Sequence, residues 1–445
     1  MLGERKIREI AGRVFSLAGA DQAEALFISF DASLTRFARN SIHQNVSERD
    51  ASLTVRLVFS KRVGISSTND LSQDGVRRAV DAAAAIARVV PENPAFPSLP
   101  TPAPVPSIQA YVPRTARQGP EERARQAAII CRKAEERGLE AAGVVSVRVT
   151  EYAVANTRGV FARHRNTVAD VAAVAQSDTS SGYADRMDTD IARIDIEAVA
   201  DEAIQRAERG RSPVPLDPGE YEVVLEPYAT SDILDFLGWV GFSALAVQEG
   251  RSFMSGKMGQ KVLGENITIW DDGQDPFGIP LPFDFEGVPR QRVELIANGV
   301  VKGACYDSYT AARDGHVSTG HAMPPRETFG PLPLNMFMKP GDASDDDLVR
   351  SVKRGLLVTR FWYTRTVHPL TVAVTGVTRD GTFLIENGEI ARPVRNLRFT
   401  QSYVEALNRV QRIGRDTRLV RSAWAPNRVP ALKIGAWLFN GVTEY

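Results

Sequence analysis

The chain has 445 residues, enough for about two to three domains, each with a sizeable core. Lys+Arg and Asp+Glu both total 54, so the formal net charge is zero and gives no support for a nucleic-acid partner. Two cysteines, Cys131 and Cys305, argue against a disulfide framework, and no run approaches the roughly 18 apolar residues of a membrane span. The first residues are charged and amphipathic, without the apolar centre of a signal peptide. A cytoplasmic protein with no membrane partner is expected.

From the N-terminus, Ile7, Ile10, Val14 and Leu17 recur at helical spacing. Residues 23–31 read as a strand. Residues 53–66 read as a hairpin, with Lys61 and Arg62 near its turn. Residues 71–90 form a helix with Val76, Ala79, Val80, Ala83, Ile86 and Ala87 on one face. Residues 91–120 hold nine prolines and mark a linker or surface strap. A second unit follows, with a helix over 121–137 and a hairpin (144–154 and 160–164) around Asn156-Thr157-Arg158-Gly159. It continues with a strand over 168–176, a polar turn-rich stretch over 177–190, and a helix over 196–209.

Beyond Pro213 the texture changes. Short apolar runs alternate with hairpin signals at Asn298-Gly299, Arg379-Asp380-Gly381 and Asn387-Gly388. Ser344 precedes three acids and an apolar run, a helix start with a capping side chain and first-turn negative charge. The expected class is α+β: a mixed α/β N-terminal half, then a large β-rich, mainly antiparallel C-terminal domain. The expected division is 1–90, a linker at 91–120, 121–212, and 213–445.

Few residues suggest chemistry of their own. His316 and His321 lie five apart in a Gly- and Pro-rich loop and are a weak candidate metal pair. Asp271-Asp272-Gly273 offers too few oxygens for a hard cation. Residues 255–260 lack the spacing of a phosphate loop. Cys305 has no neighbouring His and reads as a small buried hydrophobe. Residues 357–368 mix arginine with aromatics, which suits gripping an extended peptide and equally suits a buried strand with an internal ion pair. In a regular strand Arg360, Trp362 and Thr364 would share one face, and Phe361, Tyr363 and Arg365 the other. Arg360, Trp362, Tyr363 and Arg365 are therefore the peptide-binding candidates.

A strand-like run, Tyr221 to Leu225, leads into a helix-like run from Glu226 to Gln248. Downstream come Phe285-Glu286-Gly287-Val288-Pro289, Asn298-Gly299-Val300-Val301-Lys302-Gly303, Thr319-Gly320 and Glu386-Asn387-Gly388-Glu389-Ile390-Ala391-Arg392-Pro393-Val394. In this order and spacing the phrases resemble the C-terminal half of the TldD/PmbA (TldD/TldE) metalloprotease family. The zinc-bearing branch of that family carries H-E-x-x-x-H on the helix. Aligned without gaps, those positions here run from Asp235 to Val240, and Asp235, Phe236 and Val240 replace the ligands and the base. The family's third ligand is a cysteine near the C-terminus, and residues 412–438 contain none.

The resemblance implies a dimer enclosing a cavity, with this chain similar to the metal-free TldE/PmbA-like subunit. No catalytic residue and no cofactor are then expected in this chain. Zinc is expected in a TldD-like partner, and unfolded or extended peptide is the expected substrate. Two other readings stand beside it: a self-sufficient hydrolase with an unrecognised site, and a non-enzymatic homodimeric peptide-binding or scaffold protein.

Overall fold

The computed structural model describes residues 1–422 and 425–443. The expected α+β class holds, and the protein is built around two sheets. The first comprises β1 (Gln22–Ala38), β2 (Ser41–Phe59), β3 (Arg62–Thr68), β4 (Glu140–Asn156), β5 (Phe161–Gln176) and β6 (Ser181–Asp188), in the order β3-β2-β1-β4-β5-β6. Strands from both sides of the proline-rich stretch thus share one sheet, joined where β1 runs antiparallel to β4.

One face of this sheet is covered by helices. These are α1 (Glu4–Ala18), α2 (Gln73–Val89) and, beyond the short α3 (Pro113–Ala116), α4 (Pro120–Glu135) and α5 (Ile196–Arg209). Their apolar stripes bury Ile7, Ile10, Val76 and Val80 over one half, and Ala127, Ile130, Val199 and Ala203 over the other. The opposite face, with Leu26, Val154 and Ala162, packs against Phe283 and Phe285 of the C-terminal half. The proline-rich stretch is a strap on this body: Phe96 and Leu99 are buried beside Val58, and Ala110 bridges to Asn166 on β5.

Two sequence expectations change here. Residues 32–38 and 41–52, with no apolar period, are strand on either side of a turn at Arg39-Asn40, because the tip of the β1–β2 hairpin projects with residues 41–50 exposed. Residues 181–188 are strand rather than turn. They lack bulky apolar residues because α5 presses on them: a Cβ on Gly182 would lie 2.1 Å from the Ala203 carbonyl oxygen.

The second sheet contains β7 (Gly219–Leu225), β8 (Ile269–Asp271), β9 (Val293–Ala297), β10 (Val300–Val301), β11 (Met336–Met338), β12 (Arg354–His368), β13 (Ala373–Glu386), β14 (Glu389–Pro393), β15 (Leu397–Ser402), β16 (Val410–Val420) and β17 (Asn427–Val442). Pairing is mainly antiparallel, but β7 with β12 and β11 with β17 are parallel. β7 also pairs with β17, so β7, β12, β13, β15 and β17 close into a ring without free edges. The turns at Asn298-Gly299 and Asn387-Gly388 form hairpins, with positive φ at both residues of each. Asp380-Gly381 does not. There β13 continues, and the positive φ values mark a bulge that carries Asp380 towards Arg360. The helix Asp345–Arg350 is capped by Ser344 as expected, but it stops short of the apolar run to Leu356, whose last residues open β12.

A charged joint ties α5 to the C-terminal half. Glu202 on α5 accepts hydrogen bonds from Arg186 of β6, Arg206 of α5, Arg418 of β16 and the Tyr228 hydroxyl. Arg206 also reaches Glu226, which stands just before the helix after β7. Burial works against the Glu202 carboxylate, but Arg206, Arg418 and Arg186 outweigh it and hold its pKa well below the usual range.

Candidate functional site

The helix after β7, α6 (Pro227–Val240), begins with Pro227 in its first turn, where a missing N–H costs no hydrogen bond. It ends sooner than the sequence suggests. A Cβ on Gly241 would stand 2.3 Å from the Phe253 ring, and a separate short helix, Ala244–Gln248, follows. Ile233, Leu234 and Leu237 are fully buried in the C-terminal core. Phe236 packs edge-on against Tyr403, with centroids 5.9 Å apart, and Val240 lies partly buried against the same core. At about 1.5–3 kcal/mol for each large apolar side chain, this helix is held by packing.

Asp235 stands in mid-helix rather than in the first turn, so helix-end stabilisation does not explain it. Its Oδ1 accepts hydrogen bonds from the Ser422 hydroxyl (2.7 Å) and from Asn427 Nδ2 (2.5 Å). Asn427 opens β17, so the β16–β17 hairpin reaches the helix at this carboxylate. One turn earlier, Asp232 accepts from the Tyr403 hydroxyl (2.6 Å) and the Thr364 hydroxyl (2.9 Å). A narrow cleft beside Asp235 is lined by Gly238, Trp239, Leu332, Pro333, Met336 and Ala425.

Burial pushes Asp235 up to about 7. Nearby Asp232 adds to the rise, while Ser422 and Asn427 oppose it. Burial also pushes Asp232 up to about 6, against the pull of Tyr403 and Thr364. An acid whose pKa rises on folding favours the native state fully below its unfolded value, near 4. That contribution is lost as pH climbs through the folded value. Asp235→Asn keeps both accepted hydrogen bonds and removes the titration. It is expected to raise stability at pH 8 by on the order of 2–4 kcal/mol, converging with the parent near pH 4.5. Thermal melts at the two pH values check this, and an equal difference at both would refute the buried-acid account.

The residues at the degenerate motif do not fit zinc. They offer one carboxylate, already engaged by two donors, and no imidazole. Among the described residues no group of three or more His, Cys, Asp or Glu side chains could hold a metal ion.

The two loop histidines do not form a pair. His316 is exposed beside the Tyr306 ring, with centroids 5.2 Å apart. His321 is fully buried: its Nε2 bonds Asp271 (2.8 Å), and its Nδ1 lies 2.9 Å from the Thr319 hydroxyl and carbonyl oxygens. With both ring nitrogens in protein contacts, His321 has no position left for a ligand. Asp271 is likewise internal, between His321 and Arg290. Cys305 is buried and unpaired.

The arginine–aromatic strand also departs from simple alternation. Bulges interrupt β12 between Val358 and Arg360 and between Trp362 and Arg365, and Tyr363 has φ 55°. Phe361 is consequently buried and Thr364 turns towards α6, while Trp362, Tyr363 and Arg365 lie outside. Arg360 lies further in, although its guanidinium carbon still stands 4.9 Å from the Trp362 ring. It pairs with Asp380 and stacks over Tyr183 at 4.0 Å, so it bridges β12, β13 and β6. The exposed remainder is a lobe with Trp362 39% and Tyr363 70% accessible, and Arg379 stands 5.0 Å over the Trp362 ring. Sequence reasoning missed Asp232, Ser422 and Asn427, because nothing in their spacing links them to the helix.

A closed β ring, with a packed helix after its first strand met by a C-terminal hairpin, frames the site. Three family models match in chain order: PmbA/TldA metallopeptidase domain 1 over 23–87, the central domain over 118–211, and the C-terminal domain over 218–436. The chain belongs to the TldD/PmbA metallopeptidase family. A metalloprotease of Methanothermobacter thermautotrophicus is 30% identical over 235 residues, covering 51% of this chain and 50% of the relative. A zinc metalloprotease TldD homolog of Saccharolobus solfataricus is 28% identical, covering 44% of each. The match thus spans half or less of these relatives' lengths. The crystal structure of TldE from Thermococcus kodakarensis shares the fold, with TM-score 0.89, 20% identity, and coverage of 98% of this chain and 99% of that one.

Proposed function

We propose that this chain is the zinc-free, TldE-like subunit of a peptidase complex that handles unfolded or extended peptides. The observation that carries the reading is the Asp235 network. Where the zinc-bearing branch places two imidazoles and a glutamate, this helix presents Asp235 tied to Ser422 and Asn427, with Phe236 in the core and Val240 partly buried against it. Hydrolysis then belongs to a partner that bears zinc and a general base. This chain's share is to shape the chamber and to engage peptide. Trp362, Tyr363 and Arg365, exposed together, are the groups we assign to that contact. No helix among the described residues is long and apolar enough to cross a membrane, and a cytoplasmic setting is part of the proposal.

The purified chain is expected to carry far less than one zinc per molecule by elemental analysis and to cleave no unfolded peptide alone. Adding a family partner that contains H-E-x-x-x-H is expected to give both zinc and cleavage in the co-purified complex. Stoichiometric zinc on this chain alone would overturn the assignment. A stable homodimer that never captures such a partner would favour the scaffold reading.

A further inference from the structure

A cavity of about 220 Å³ lies where the strap from Pro106 to Tyr111 passes beside β5. Its remaining wall is Arg163, His164, Arg165 and Pro282, and no acidic side chain lines it. Alternation along β5 sends Arg163 and Arg165 to the same side. Arg163 donates through Nε and Nη2 to Glu151 Oε1 at 2.8 and 2.5 Å, leaving Nη1 without a protein acceptor among the described residues. The other oxygen of Glu151 accepts from the amides of Leu2 and Gly3 and from the Ser29 hydroxyl, so this carboxylate is fully engaged.

Arg165 is different. Its contact is the Tyr111 ring, 4.5 Å from the guanidinium carbon, and among the described residues no carboxylate lies within ion-pair distance of it. A ring beneath the guanidinium plane steadies it and leaves its N–H edge free to donate. The Nε2–H of His164 donates to the Pro280 carbonyl at 3.1 Å, and burial pushes the imidazole down to about 4, so it is neutral near pH 7. Arg163 and Glu151 cancel, and the cavity keeps the positive charge of Arg165. Ser107 and Gln109 add neutral polar groups to the strap wall.

We propose that this cavity binds a small oxyanion, a phosphate or a carboxylate group, held by the fork of Arg165. The planar guanidinium edge matches two oxygens of either group. The volume lies below the roughly 300–1,000 Å³ of pockets for drug-sized ligands, which suits a small anion or one terminus of a chain. The proposal is independent of the subunit assignment.

The test is calorimetric titration of the full chain with inorganic phosphate, with acetyl-dialanine, and with acetyl-dialanine amide, at constant ionic strength. Saturable binding of phosphate, or of the free peptide acid but not its amide, is expected. Phosphate alone identifies a free anion, and the peptide acid alone identifies a chain terminus. Arg165→Met should weaken the binding at least about tenfold, and Arg165→Lys should weaken it less. The exposed Arg125→Met should leave it unchanged. The proposal fails if neither ligand saturates, or if a folded Arg165→Met binds as the parent does. Should the Met variant not fold, unchanged affinity in Arg165→Lys overturns the bidentate grip.

Discussion

Glu202→Gln is expected to destabilise the folded chain by about 3–5 kcal/mol, the cost of removing one partner from a buried ionic network. Three guanidinium groups, from Arg186, Arg206 and Arg418, converge on this carboxylate. Gln supplies one acceptor and no charge, so Arg206 would keep its pair with Glu226 while Arg186 and Arg418 would lose the carboxylate they share. Because the native pKa of Glu202 is depressed, its contribution is present above the unfolded value, near 4.5. The contribution disappears as pH falls through the native value. The gap between parent and variant should therefore be widest at neutral pH and shrink as conditions become strongly acidic. Urea unfolding at pH 7 and pH 4 measures it. A loss under about 1 kcal/mol at pH 7 would show that the joint between α5 and the C-terminal half lies elsewhere.

Trp437→Ala should cost a similar 3–5 kcal/mol through cavity formation. The indole is fully buried, lies 5.0 Å from the Phe361 ring in a stacked arrangement, and contacts Phe399 and Tyr403 at 5.3 and 5.8 Å. Its Nε1 has no hydrogen-bond partner among the described residues, so its value is packing alone, and Trp437→Phe should recover much of the loss. Trp362→Ala, on the exposed lobe, is the contrast and should stay within about 0.5 kcal/mol. Urea midpoints of the three variants decide it, and equal losses at Trp437 and Trp362 would refute the burial argument. Tyr403 leans on Trp437 and holds Asp232, so the core substitution should also disturb the carboxylate pair on α6.

The fold class was legible because α1, α2 and the later strands carry apolar periods that follow from burying one face. The β1–β2 tip was not, because Ser41 to Asp50 are exposed and no burial disciplines their pattern. That the helix carries one carboxylate and no imidazole was legible from the sequence itself. The partners of that carboxylate were not. Asn427 reaches Asp235 across 192 residues, and no local pattern encodes such a contact. The face assignment for Arg360 to Arg365 held in part: Arg360 meets Trp362 and Arg365 meets Tyr363, but two bulges and one left-handed tyrosine put Phe361 in the core and turn Thr364 towards α6.

The strand order β3-β2-β1-β4-β5-β6 reads the same outward from its centre in both directions. Each half is a three-stranded meander preceded and followed by a helix, α1 and α2 for one and α4 and α5 for the other. The sheet is thus a tandem of two copies of one αβββα design, back to back across the β1–β4 seam. The meanders close through near neighbours in sequence, whereas the seam joins groups as distant as Ala23 and Thr157, 134 residues apart. Loop-closure entropy makes such distant pairing the slow step. Amides along the seam should therefore gain hydrogen-exchange protection after those inside the meanders.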